Sequence, residues 1–131
     1  MKIKAIATAL AVAALGVSSA AADILDTIKD RGTLIVGVKA DYKPYGFLDT
    51  SGAVIGIEPD LAQDVANKLG VAIEFVPVVS SNRMQFLEQG KIDLMIATMT
   101  DKPDRREVVL IPEPNYYSSG TNILALKSLG L

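Results

Sequence analysis

An α/β layer built on a mostly parallel sheet is the fold class this sequence predicts, and three observations carry it. Dense β-branched runs, TLIVGVK at 33–39 and VAIEFVPVV at 71–79, read as buried strands. Between them, GIEPDLAQDVANKLG at 56–70 repeats apolar residues at helical spacing. A third apolar run at 92–99 follows a second helical stretch, and strands that alternate with helices pack as a parallel sheet flanked by helices. In such sheets ligands bind beyond the carboxyl ends of the strands.

Asp23 can cap a short helix over 24–31, with Ile24, Leu25 and Ile28 on one face and Gly32 at its C′ position. The strand at 33–39 follows, then a loop at 40–45 that Pro44 is expected to hold extended. Short strands at 46–48 and 53–57 flank the turn Asp49-Thr50-Ser51-Gly52 and predict a hairpin. Pro59 marks a helix start, with Glu58 and Asp60 beside its positive end. Leu61, Val65 and Leu69 form its stripe with Ala62 and Ala66 alongside, and Gly70 closes it. Pro77 puts the end of the 71–79 strand at a sheet edge or exit. Ser80-Ser81-Asn82 can cap a helix over 83–89, with Met84 and Leu87 inward, and Gly90 ends it. After the strand at 92–99, Pro103 opens a helical turn, and further strands are expected at 108–111 and 121–126.

The chain has 131 residues and no Cys, His or Trp, which is room for one small domain. A zinc site, a thiol nucleophile and a Ser-His-Asp triad are excluded, and no metal or cofactor is expected. Lys2 and Lys4, the apolar run at 5–17 and Ala20-Ala21-Ala22 before Asp23 have the layout of a signal peptide, so residues 1–22 are expected to be cleaved on export. The remainder holds 11 basic and 15 acidic residues, a net charge of −4, with no basic face for nucleic acid and no second apolar span.

The stretch with the most chemistry is GKIDLMIATMTDKPDRR at 90–106. A strand that ends in Thr98, Thr100 and Asp101, runs into a helix start at Pro103 and displays Arg105 can seat an anion between free N–H groups and a guanidinium fork. The same residues also suit a plain βα turn whose threonines cap the helix and whose arginines are solvated.

Taken in order, GVKADYKPYGFLD, GIEPDLAQDVANKLG, GKIDLMIATMTDKPDRR and PNYY resemble the extracellular solute-binding proteins that feed ABC importers, more narrowly the amino-acid-binding family of periplasmic receptors. The similarity spans about 24–126. It implies a type II periplasmic binding protein-like lobe at 23–126 and the start of a crossover to a second lobe at 127–131, where the chain is truncated. In the family, the Arg of a T-x-T-x-x-x-x-R pattern salt-bridges the ligand α-carboxylate, which corresponds to Arg105. Thr98 and Thr100 match its partners for the α-carboxylate and α-amino group, and Tyr42 matches the aromatic of the Y-x-P loop that packs on the ligand. Ser80-Ser81-Asn82-Arg83 looks like the glutamate/aspartate variant, in which Ser80 and Arg83 would hold a side-chain carboxylate with a further cation near Lys39. Arg106 is expected at the surface.

The resemblance thus implies a periplasmic receptor for an amino acid, with the glutamate/aspartate variant pointing to an acidic one, delivering it to an inner-membrane ABC permease without covalent chemistry. Enzymes on the same fold, of the cyclohexadienyl dehydratase kind, are the alternative; they need a general acid or base, and Asp41 and Asp101 are the candidates at the expected rim. A ligand-sensing module is the third reading. A lone lobe is expected to bind more weakly than a closed pair, and to associate through an exposed sheet edge.

Overall fold

A computed structural model describes residues 24–120 and 122–130. The expected signal peptide, its cleavage site and the Asp23 cap lie outside the described residues. Among those described, no helix is long and apolar enough to cross a membrane.

Helix α1 spans Ile24–Arg31, and Gly32 closes it at φ 71°. Strand β1 covers Thr33–Val38; β2, Asp41–Tyr42; β3, Gly46–Leu48; and β4, Val54–Ile55. Helix α2 is Ile57–Leu69, β5 is Ala72–Pro77, α3 is Arg83–Glu88, β6 is Leu94–Ile96 and α4 is Pro103–Arg106. A short 3₁₀ turn, Lys127–Leu129, comes last.

β1 lies at the centre of a three-stranded parallel sheet in the order β5-β1-β6. Its side chains alternate, as the pleat requires. Leu34, Val36 and Val38 face the layer that holds Ile28 of α1 and Ala62 and Ala66 of α2. Ile35 faces the other, where Val78, Ile92 and Ala97 meet Phe86 and Leu87 of α3. Burial on both faces is why this run has no polar residue between Thr33 and Lys39. At the entry end, the Asp93 carboxylate accepts the Ile35 N–H at 2.8 Å and pairs with Arg31, fixing β6 beside β1.

Several expectations change at the connections. The 40–45 segment is not an extended loop: Asp41 and Tyr42 fold back and pair antiparallel with Phe47 and Gly46. An added Cβ at Gly46 would lie 2.2 Å from the Lys39 carbonyl, so the missing side chain permits this return. α2 begins at Ile57, two residues before Pro59, because the N–H groups of Ile57 and Glu58 are taken by the carbonyls of Pro44 and Tyr45. A proline within the first turn costs no intrahelical bond, since those N–H groups have no helical acceptor. Phe86 and Leu87, with Met84 half-buried, form the inner face of α3.

The strand expected over 92–99 pairs only over Leu94–Ile96. The strands expected at 108–111 and 121–126 do not form; Thr121 itself lies outside the described residues. Leu110 is 91 % exposed and Leu124 fully exposed, so these runs have β-type composition but no neighbouring ladder to complete their backbone bonds.

Candidate functional site

The parallel register brings three exits to one edge of the sheet. Val38 lies level with Pro77 on one side and Ile96 on the other. Lys39, the 78–82 segment and the 97–102 segment therefore leave the sheet side by side, as the switch-point rule requires.

Arg83, on the first turn of α3, lies over this edge and is 8 % exposed. Its Nη1 donates to the Ala97 carbonyl at 2.5 Å, which joins α3 to the exit of β6. Burial pulls its pKa down and the nearby Arg105 adds to this, while Glu58 opposes both. Arg105, on α4, donates to the Thr100 carbonyl at 2.5 Å. Neither guanidinium has an acidic ion-pair partner among the described residues. Arg106 points elsewhere: it forks onto Asp101 at 2.8 and 2.6 Å and also reaches Glu113 at 3.0 Å. That bond to Arg106 holds the Asp101 carboxyl below its usual range.

Thr98 turns the chain at φ 48°, the left-handed region that a β-branched residue enters at a cost of about 1–3 kcal/mol. The turn aims its N–H at Glu58 Oε1, 2.6 Å away, with the Tyr116 oxygen at 3.2 Å. The Tyr116 hydroxyl donates to the same Oε1 at 2.7 Å. Glu58 is 0 % exposed, and that burial raises its pKa against the hydrogen bonds that lower it. Burial and the Glu58 charge together push the Tyr116 hydroxyl well above the ordinary tyrosine range.

The four tyrosines form one aromatic row along this rim. Tyr42 stacks on Tyr45 at 5.3 Å and 16°, Tyr45 meets Tyr117 at 5.0 Å, and Tyr117 meets Tyr116 at 5.3 Å. Between the β6 exit and this segment is a recess of about 200 Å³, lined by Met99, Thr100, Asp101 and residues 115–119.

Of the residues singled out in the sequence, Arg83, Thr98, Thr100 and Arg105 converge here, and Tyr42 joins through the aromatic row. Lys39 is mostly buried, and its Nζ is already paired with Asp41 at 2.8 Å, so it is not a free cation. Ser80 is exposed at the β5 exit and makes no hydrogen bond to this cluster among the described residues. Sequence reasoning placed Glu58 only beside the positive end of α2, not at the site, and did not connect Tyr116 with it. The only signal was the position of Glu58 directly after the hairpin, where a turn of helix must pack under the sheet edge.

Comparison with known proteins gives a consistent result. The family profile of bacterial extracellular solute-binding proteins, family 3, matches residues 34–130. The L-cystine-binding protein TcyJ of Escherichia coli is 33% identical over 117 residues, covering 88% of this chain and 44% of the relative. A glutamine-binding protein of Geobacillus stearothermophilus is 36% identical over 114 residues, covering 84% and 43%. The chain thus spans less than half the length of these curated relatives. Among solved structures, the arginine-bound form of domain 1 from TmArgBP matches with a TM-score of 0.65 and 38% identity over 68% of this chain and 71% of that one. An ancestral amino-acid-binding protein described as a precursor of cyclohexadienyl dehydratase matches with a TM-score of 0.63 and 44% identity, over 65% and 37%.

Proposed function

The chain belongs to family 3 of the bacterial extracellular solute-binding proteins, and from that premise we propose that it is the ligand-gripping first lobe of a periplasmic receptor. This receptor captures a free amino acid and delivers it to an ABC permease in the inner membrane. The observation that carries the reading is the pair Arg83 and Arg105, two neighbouring guanidinium groups at the carboxyl edge of the sheet whose protein partners are backbone carbonyls. Cations held by neutral acceptors favour a carboxylate ligand, and a guanidinium can take one as a two-pronged fork.

Arg105 with Thr98 and Thr100 grips the α-carboxylate and α-amino end. Arg83 with Ser80 takes a side-chain carboxylate, and the Tyr42 face covers the ligand. Two separate arginine forks make an acidic amino acid the preferred ligand; Lys39, spent on Asp41, contributes little. The curated relatives are named for cystine, glutamine, arginine and histidine, so the acidic preference rests on this chain's own residues. Residues 127–131 begin the crossover to a second lobe, and residues 1–22 direct export.

A binding role rather than a reaction is supported by the state of the acids. Asp101 is tied to Arg106 and Asp41 to Lys39, and Glu58 is sealed from solvent. None stands open as a general acid or base.

Isothermal calorimetry with L-glutamate, L-aspartate, L-glutamine and L-arginine tests the reading. Heat from the acidic pair, weakened about tenfold or more in Arg105→Ala and in Arg83→Ala, is expected, since each loses a charge-assisted contact. A preference for glutamine or arginine would remove the role given to Arg83 and leave that given to Arg105.

A further inference from the structure

The most deeply buried charge near the seat, Glu58, has no part in gripping the ligand above, yet three segments meet on it. Its Oε1 takes the Thr98 N–H and the Tyr116 hydroxyl, and its Oε2 has no hydrogen-bond partner among the described residues. The backbone N–H of Lys39 also faces the carboxylate and favours its charged form. Lys39 and Thr98 both lie beyond the last ladder pair, Val38 with Ile96, so no sheet hydrogen bond fixes one exit against the other there. Tyr116 comes from a segment with no helix or strand of its own. A buried carboxylate accepting several donors is the strongest polar tie available at such a junction.

We propose that Glu58 is a positioning residue of this seat: it holds Thr98 in its left-handed turn and fastens the Tyr116 wall beside Arg83, so that ligand affinity depends on a side chain the ligand does not touch. The inference rests on the amino-acid-binding reading for its ligand, whereas its geometry stands on the contacts alone. Gly56 supports the placement. An added Cβ there would lie 2.4 Å from the Tyr45 carbonyl and 2.7 Å from that of Pro44, so the start of α2 is pressed against the hairpin, where the Glu58 N–H is bonded to the Tyr45 carbonyl.

The test compares the wild-type chain with Glu58→Gln, Glu58→Ala and Tyr116→Phe, using residue-resolved amide exchange and calorimetry with L-glutamate. In Glu58→Ala, the Thr98 amide is expected to exchange at least about tenfold faster while Val36 in β1 keeps its protection. L-Glutamate affinity is expected to fall by about tenfold or more, the loss for a charge-assisted hydrogen bond. Glu58→Gln keeps an acceptor for Thr98 and turns an amide donor toward the Lys39 N–H, so it should fall between wild type and Glu58→Ala. If Glu58→Ala does not fold, Glu58→Gln and Tyr116→Phe carry the test, with Tyr116→Phe weakening binding while Thr98 stays protected. Unchanged Thr98 exchange in a folded Glu58 variant, or wild-type affinity despite lost protection, would overturn the proposal. No heat from the wild type with L-glutamate, together with lost Thr98 protection in the variants, would sink the acidic-ligand reading and uphold the hold of Glu58 on Thr98.

Discussion

Residues 33–97 and residues 107–130 both contain β-rich apolar runs, and they reach opposite outcomes. In the first region Val36 and Val38 are fully buried, because β1 has a parallel neighbour on each side and helices above and below. In the second, Leu110, Ile123 and Leu124 are almost wholly exposed, and the segment is held to the first by Tyr116 on Glu58 and Tyr117 on Tyr45. Composition is similar in the two; neighbours are not. A strand is a property of a pair, since each edge needs a partner for its N–H and C=O groups. The site we propose lies along the seam where the packed region meets the loose one.

The comparison breaks most readily in the core. Leu34→Ala, at a site 2 % exposed, is expected to lower the unfolding free energy by about 2–5 kcal/mol. Leu124→Ala, fully exposed, is expected to change it by less than about 0.5 kcal/mol. Urea unfolding of the two variants measures both, and comparable losses would mean that the second region is packed in solution.

A smaller effect is expected where the hairpin meets α2. Gly56 sits at φ 132° and ψ −176°, a conformation open almost only to glycine, so Gly56→Ala should cost on the order of 1–3 kcal/mol in backbone strain, before its contact with Tyr45 is counted. Chemical denaturation reads that loss, and a neutral substitution would show that the hairpin and the start of α2 can separate freely.

The smallest effect is a pH dependence that distinguishes the buried acid from the surface ones. The Glu58 pKa is raised above 4.5, chiefly by burial. Between that ordinary value and the raised one, the folded chain holds a proton that the unfolded chain lacks. The stability from this group is therefore fully present below the ordinary value and is lost as pH rises through the raised one. Asp49 and Asp101 act oppositely: their pKa values are lowered by hydrogen bonds to Ser51 and Arg106, so their contribution is present above 3.8 and fades as pH falls through the lowered values. Thermal melts between about pH 4 and pH 8 should therefore show a downward drift that Glu58→Gln flattens. An identical drift in the variant would assign it to another group.

Much of this protein was determined by the sequence alone. The apolar run at 33–39, the stripe of Leu61, Val65 and Leu69, the closing glycines at 32, 70 and 90 and the proline opening α4 are local signals, and each local choice agrees with one parallel layer. The convergence of Arg83, Thr98, Thr100 and Arg105 was legible for the same reason, since residues just past parallel strands must share an edge. What only the tertiary structure decided are the long-range partners. Lys39 found Asp41 and ceased to be a free cation, Glu58 was buried beneath the Thr98 turn, and the runs after Arg106 found no strand to join. The physical reason is common to all three. Whether a charge is solvated, paired or buried, and whether an apolar run becomes a strand, depends on what lies beside it in space, and spacing along a chain reports only the neighbours one helical turn or one pleat away.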